Sequence, residues 1–186
     1  MVMMMYDVRR PLLALIATLA CGCATGSSGS YAGATSGGGG GQAVGSPIPD
    51  LVVSRLDGRG DVRLSSLRGK VVLLDIWASW CPPCKEEMPM LDEIAHRLHS
   101  RGVEVVAVSI DEDRASAEAF LQTRSRWSLT LAHDPRGRIP DLLQPSKMPT
   151  SYVIDASGIV RKINAGYVPE DGPHIEAELR ALAKAP

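Results

Sequence analysis

Cysteine is scarce: the 186-residue chain has four, and two of them, Cys21 and Cys23, fall near its beginning. The rest of the chain is left with one possible pair, Cys81 and Cys84, which excludes a scaffold stapled by structural disulfides. Charge of neither sign is in excess, with Lys+Arg 20 against Asp+Glu 21 and a formal net charge of -1. No basic patch stands out, which argues against a nucleic-acid partner. Long hydrophobic runs are missing too. The apolar run from Leu12 to Ala20 is shorter than the ~20 residues that a membrane-spanning helix needs. No internal repeat is visible. What remains is enough chain for one domain with a full core plus extensions.

The informative stretch runs from Asp75 to Glu87. Val71 to Trp77 is a near-continuous apolar run, the pattern of a strand covered on both faces. From Cys84 onward the period changes: Met88, Leu91, Ala95 and Leu98 recur at helical spacing, with Lys85, Asp92, His96 and His99 on the other side. A C-x-x-C bracket at such a strand-to-helix junction reads as a thioredoxin-like redox motif. The placement suits the chemistry. A thiolate attacks a disulfide, and a helix N-terminus offers unpaired N–H groups and partial positive charge to that anion. Two intervening residues let the second cysteine turn back on the mixed disulfide formed by the first. Cys81 is therefore the attacking thiol and Cys84 the resolving one. Pro82 and Pro83 suit the first helical positions, where a missing N–H costs little. They also remove donors that could have stabilised a thiolate.

W-C-x-P-C, with Asp75 ahead of it, resembles the thioredoxin superfamily, and the trailing Lys85-Glu86-Glu87-Met88-Pro89 resembles its TlpA/ResA branch of membrane-tethered thiol-disulfide oxidoreductases. The resemblance runs from about Pro47 to the C-terminus. It implies an α/β, three-layer thioredoxin-like fold with an N-terminal β-hairpin extension and a helical insertion. It implies a buried carboxylate at Asp75 that exchanges a proton with Cys84, and a tuning carboxylate at Glu87. Which of the two manages that proton stays open. It makes Pro149 a cis-proline facing the cysteines, with Met148 exposing its backbone to substrate and Trp80, Pro82 and Pro83 lining the contact. No organic cofactor or metal is implied, because the electrons reside on Cys81 and Cys84. The partners implied are client protein thiols and disulfides, apocytochrome c among the candidates, and an upstream membrane electron donor. A monomer working as a reductant, in cytochrome c maturation or cysteine rescue, fits that branch.

Three segments follow in order. In residues 1–23, Arg9 and Arg10 precede the apolar run and small residues, the layout of an export signal. Cys21 fits a lipoprotein cleavage box, as does Cys23, and Cys21 is preferred because cysteine is a poor residue just upstream of a cut. This predicts an extracytoplasmic, lipid-anchored protein. Residues 24–46 are rich in glycine, serine, alanine and threonine, a flexible tether of roughly 25–30 Å. Residues 47–186 form the domain. Leu51–Leu56 and Asp61–Leu64 predict a hairpin about Asp57-Gly58. Val103–Ile110 predicts a second buried strand, and 113–126 a helix with Ala117, Phe120 and Leu121 inward. Leu129–Leu131 reads as a short strand and Arg138–Leu143 as a helical turn. Thr150–Ile154 and Ile159–Ile163 form a hairpin, and 170–184 an amphipathic helix packing through Ile175, Leu179 and Leu182.

Other readings compete for these residues. Cys81, Cys84, His96 and His99 mimic a zinc spacing, but at ~1.5 Å per helical residue His96 lies roughly 18 Å from the cysteines. That is far beyond the ~2.0–2.3 Å of a zinc ligand. His133 could join both thiolates in a copper chaperone, although the chaperones with such a pair resemble a C-x-x-x-C bracket. A peroxiredoxin-like peroxidase needs P-x-x-x-T/S-x-x-C by resemblance, and Ala78 and Leu74 stand where the hydroxyl and the proline belong. A structural staple would need neither Trp80 nor the proline pair. Asp111 to Arg114 reads as a solvated loop and helix start.

Overall fold

The computed structural model describes residues 41–134 and 136–183. The expected signal and anchor at 1–23, including Cys21, and most of the expected tether lie outside the described residues. The hairpin ahead of the central strand forms as β1 (Val52–Arg55) and β2 (Asp61–Arg63), paired antiparallel, and a 3-10 turn at Leu64–Leu67 follows. The apolar run is β3 (Val71–Trp77), buried at every residue. Pro82–Leu98 is α1, a 3-10 turn His99–Arg101 closes it, and β4 (Val103–Ser109) runs back parallel to β3. Gly102 makes the reversal in the left-handed region (φ 77), and its carbonyl accepts the first N–H of β3. Then come α2 (Arg114–Leu121), β5 (Thr130–His133), α3 (Arg138–Leu143), β6 (Thr150–Ile154), β7 (Val160–Ala165) and α4 (Asp171–Leu182).

Among the described residues the strands make one mixed sheet in the order β2-β1-β5-β4-β3-β6-β7. Alternation along β3 decides what covers it. Val71, Leu73 and Trp77 face a core built with Met88, Leu91, Ile94 and Leu98 of α1, Ala117 and Leu121 of α2, and Ile175 and Leu179 of α4. Val72, Leu74 and Ile76 face the other way, onto Ile139 and Leu143 of α3 and the residues leading into the hairpin. These three layers are the thioredoxin-like fold, with the hairpin and α2 as its additions.

Two boundaries differ from the sequence expectation. The helix expected over 113–126 stops at Leu121, because Trp127 turns back and its indole N–H donates to the Leu121 carbonyl at 3.0 Å. That turn stacks Trp127 on Phe120, and Phe120 on Trp77, with ring centroids 6.3 and 5.4 Å apart. The folded unit also begins before Pro47. Gln42 N–H donates to Leu143 O, Gly45 N–H to Val160 O, and Val160 N–H to Ser46 O. The last residues of the expected tether are thus laid along β7 and α3. Helical propensity missed the first boundary and glycine content the second, since in both the deciding contact is distant in sequence.

Candidate active site

Strand β3 ends at Trp77, and the turn Ala78-Ser79-Trp80 delivers Cys81 to the start of α1. The Cys81 N–H donates to Ala78 O at 3.1 Å, and Cys81 holds an extended conformation (φ -98, ψ 105) as the residue capping the helix. Pro82 and Pro83 have no N–H to offer, and the Lys85 N–H already donates to Cys81 O. The Cys84 amide is the free donor of that first turn, and it points at Cys81 Sγ, 3.3 Å away. The proline pair thus leaves one amide aimed at Cys81 Sγ, where a helix N-terminus favours a thiolate. Cys81 and Cys84 are joined in a disulfide. Cys81 is 4% exposed and Cys84 0%, so Cys81 is the more accessible of the two. Trp80, beside it, is 63% exposed, whereas Trp77 is fully buried.

Asp75 shares the face of β3 that carries Leu73 and Trp77, toward α1. It is 1% exposed and neither carboxyl oxygen has a hydrogen-bond partner. Burial pushes its pKa up to about 8. Glu87, one turn beyond Cys84, is buried as well, and its Oε2 is unpartnered. Burial, then the charges of Asp75 and of Asp171, hold its carboxyl far above the usual range. Tyr167 is raised too, first by burial and then by Glu87, Glu86, Asp171 and Glu170. Gly172, at the start of α4, lies against the Met90 side chain of α1.

The Met148–Pro149 peptide bond is cis. Thr150 pairs with Ile76 at the C-terminal end of β3, which puts Met148 and Pro149 at the cysteine end of the sheet. Pro149 O accepts the Gly166 N–H at 2.7 Å, tying this loop to the one before α4. Cysteines, both carboxyls, Trp80 and the Met148–Pro149 loop are thus gathered at one end of β3.

One participant escaped the sequence reading. Asp111 is not part of a solvated loop: it is 3% exposed and sits directly behind the cysteine turn. Its carboxylate accepts the Ser79 N–H at 3.0 and 3.2 Å, the Ser79 hydroxyl at 2.7 Å and the Ser109 hydroxyl at 2.7 Å. His133 Nε2 lies 2.7 Å from the Asp111 carbonyl, and since a carbonyl only accepts, Nε2 carries the proton. His133 is therefore engaged here, not with the thiols. Among the described residues no three His, Cys, Asp or Glu side chains gather as a metal-ligand group. The available signal was position: Asp111 follows the carboxyl end of a buried parallel strand, where α/β sheets build their sites. A groove of about 540 Å³ opens alongside, lined by Trp80, Ile110, Asp111, Glu112 and Ser116 among others.

Comparison with known proteins agrees with this geometry. The model of the AhpC/TSA family matches residues 44–163. The chain belongs to the AhpC/TSA family. Within it, the chain is similar to the thiol-disulfide oxidoreductase ResA of Geobacillus thermodenitrificans, 36% identical over 139 residues, 73% of this chain and 78% of that one. A structure described as the thiol:disulfide interchange protein DsbE of Chlorobium tepidum superposes with a TM-score of 0.71 at 35% identity, covering 75% of this chain and 97% of its own. The exposed lipoprotein thioredoxin Etrx1 of Streptococcus pneumoniae gives 0.61 at 28% identity, covering 72% and 99%.

Proposed function

We propose that this thiol-disulfide oxidoreductase, of the ResA and DsbE type, reduces disulfides of client proteins outside the cytoplasm while tethered to a membrane by lipid on Cys21. The observation that carries the chemistry is the Cys84 amide at 3.3 Å from Cys81 Sγ, the sulfur of the more exposed cysteine of the pair. In the reduced protein the Cys81 thiolate attacks one sulfur of a client disulfide and expels the other as a thiolate. The Cys84 thiolate then attacks Cys81 Sγ, re-forms the Cys81–Cys84 disulfide and releases the client's second sulfur. Two electrons pass to the client, and a dithiol donor must return them. Asp75 or Glu87 supplies and collects the proton at Cys84. Met148 and Pro149 form the edge against which the client segment lies.

The reducing direction is supported by the resemblance to the TlpA/ResA branch. The extracytoplasmic anchor is supported by the export-signal layout, by Cys21 and by the likeness to an exposed lipoprotein thioredoxin. No helix among the described residues is long and apolar enough to cross a membrane. A peroxidase reading finds no hydroxyl at Ala78, which is fully buried, and no proline at Leu74 inside β3.

Three measurements test the proposal. The Cys84→Ser variant accumulates mixed disulfides with client proteins and Cys81→Ser traps none; equal trapping by both overturns the assigned order of attack. Equilibration of the pair with glutathione or dithiothreitol gives a reducing potential, and a value near that of a strong oxidase rejects the direction. For the tether, replacing Cys21 and Cys23 together releases the protein from membranes.

A further inference from the structure

The turn that presents Cys81 is short, and its neighbours on both sides are tied to the segment after β4. Trp77 O accepts the Ile110 N–H at 3.0 Å, and the Ser79 N–H and hydroxyl both donate to the Asp111 carboxylate. Ala78, between these two clamps, carries the carbonyl that accepts the Cys81 N–H. Asp111 is itself fixed from behind. Its own N–H donates to Ser109 Oγ at 3.0 Å, its carbonyl accepts from His133, and Ser109 O accepts the Asp134 N–H. A buried carboxylate holding three N–H and O–H donors, with no cation paired to it among the described residues, is costly unless those bonds are made. Here every one of them bears on the cysteine turn or its support.

We propose that Asp111 is a positioning residue for the Cys81–Cys84 couple: it holds the Ala78–Trp80 turn so that Cys81 stays at the α1 terminus with its sulfur on the Cys84 amide. The inference rests on the reading of the pair as a redox couple. Asp111 touches no reacting atom. It acts through the backbone, and its removal frees Ser79 to seek water, loosens Ala78 O from Cys81 and weakens the one donor the proline pair has left. The Cys81 thiolate is then less stabilised.

The titratable groups on the segments that meet at this turn are Glu112 and Asp113 on the same segment, Lys85, Glu86 and Glu87 on α1, Asp75 on β3, and His133 and Asp134 at the end of β5. All stay in place in the variants, so the test reads a sign. If Asp111 acted only as a nearby negative charge, removing it would lower the Cys81 pKa in both Asp111→Ala and Asp111→Asn. The positioning role requires the opposite. Asp111→Ala raises it, cutting the thiolate fraction near neutral pH roughly three- to tenfold. Asp111→Asn keeps an Oδ1 acceptor for Ser79 and restores most of the loss. Ser79→Ala, which loses the hydroxyl bond and keeps the N–H, falls between.

The experiment is the pH dependence of Cys81 alkylation by iodoacetamide in the reduced full chain, followed by peptide mass, beside a thermal unfolding midpoint for each variant. A lowered midpoint with an unmoved Cys81 titration overturns the proposal, as does an asparagine variant no better than alanine. Should Asp111→Ala fail to fold, Ser79→Ala carries the test, and an unmoved titration in it has the same force. If wild-type Cys81 reacts no faster than an ordinary thiol at pH 7, the redox reading itself fails. A reactive wild type that Asp111→Ala leaves untouched overturns this inference alone.

Discussion

Asp75 and Glu87 lie across the packing of β3 against α1, both buried, with the charge of Asp75 opposing ionisation of Glu87. Two carboxyls in that position titrate as a pair, and the first proton to leave makes the second harder to remove. At neutral pH the pair holds protons that free carboxyls would have lost. That is a proton store one helical turn from Cys84, which under the proposed mechanism gains and loses a proton as the mixed disulfide forms and resolves.

The store has a stability signature. Folded Asp75 keeps its proton up to about pH 8, whereas in the unfolded chain it ionises near its ordinary value of ~4. The folded state binds more protons between those limits, so stability falls as pH rises through that window. Asp75→Asn removes this contribution. It is expected to match wild type near pH 4 and to exceed it by about 1–3 kcal/mol at pH 8. Urea unfolding at several pH values checks this; a pH-independent difference sinks the protonation argument.

Glu87→Gln takes away one member of the pair, and Asp75 then ionises more readily. The pH profile of mixed-disulfide release is expected to move down by roughly half to one pH unit in rapid-mixing kinetics. Because Glu87 is 2% exposed, this variant also gains stability at high pH, where an exposed glutamate would have changed little. If Asp75→Asn leaves release untouched while Glu87→Gln abolishes it, the proton belongs to Glu87.

Trp80 contributes surface and little core. Trp80→Ala is expected to shift stability by no more than ~0.5 kcal/mol. Exchange with protein clients slows several-fold while reduction by dithiothreitol does not. Equal slowing toward both would assign Trp80 to the chemistry of the pair instead of to client contact.

Trp127 tests the insertion. Trp127→Phe keeps the ring on Phe120 and deletes the indole donor to Leu121 O, at an expected cost of about 1 kcal/mol in denaturant unfolding. Cys81 reactivity stays as in wild type.

What could be read from sequence was what repeats locally. Seven consecutive buried residues in β3 and the helical spacing of Met88, Leu91, Ala95 and Leu98 gave the frame, and C-x-x-C at their junction gave the site. The resemblance added the Met148–Pro149 cis bond, which spacing alone could not. Asp111 was missed because its partners Ser79 and His133 come from the turn after β3 and from β5, and an acidic run usually marks solvent. Burial of Glu87 was equally hidden, since Glu86 beside it is chemically the same and exposed. Only the placement of α4 and of β3 against α1 separates them.

The residues just before Pro47 close a vulnerable border. β7 is the last strand of the sheet, and its outer side begins with backbone groups that would otherwise be free to template another chain. Gly45 and Ser46 occupy them at Val160, Pro47 bridges to Ile159, and Arg161 and Lys162 put charge on the strand that continues. At the opposite border β2 is three residues long, with Asp61 and Arg63 exposed. A domain trimmed to start at Pro47 would therefore keep its redox pair but bare this edge of the sheet, and at high concentration it is expected to aggregate more readily.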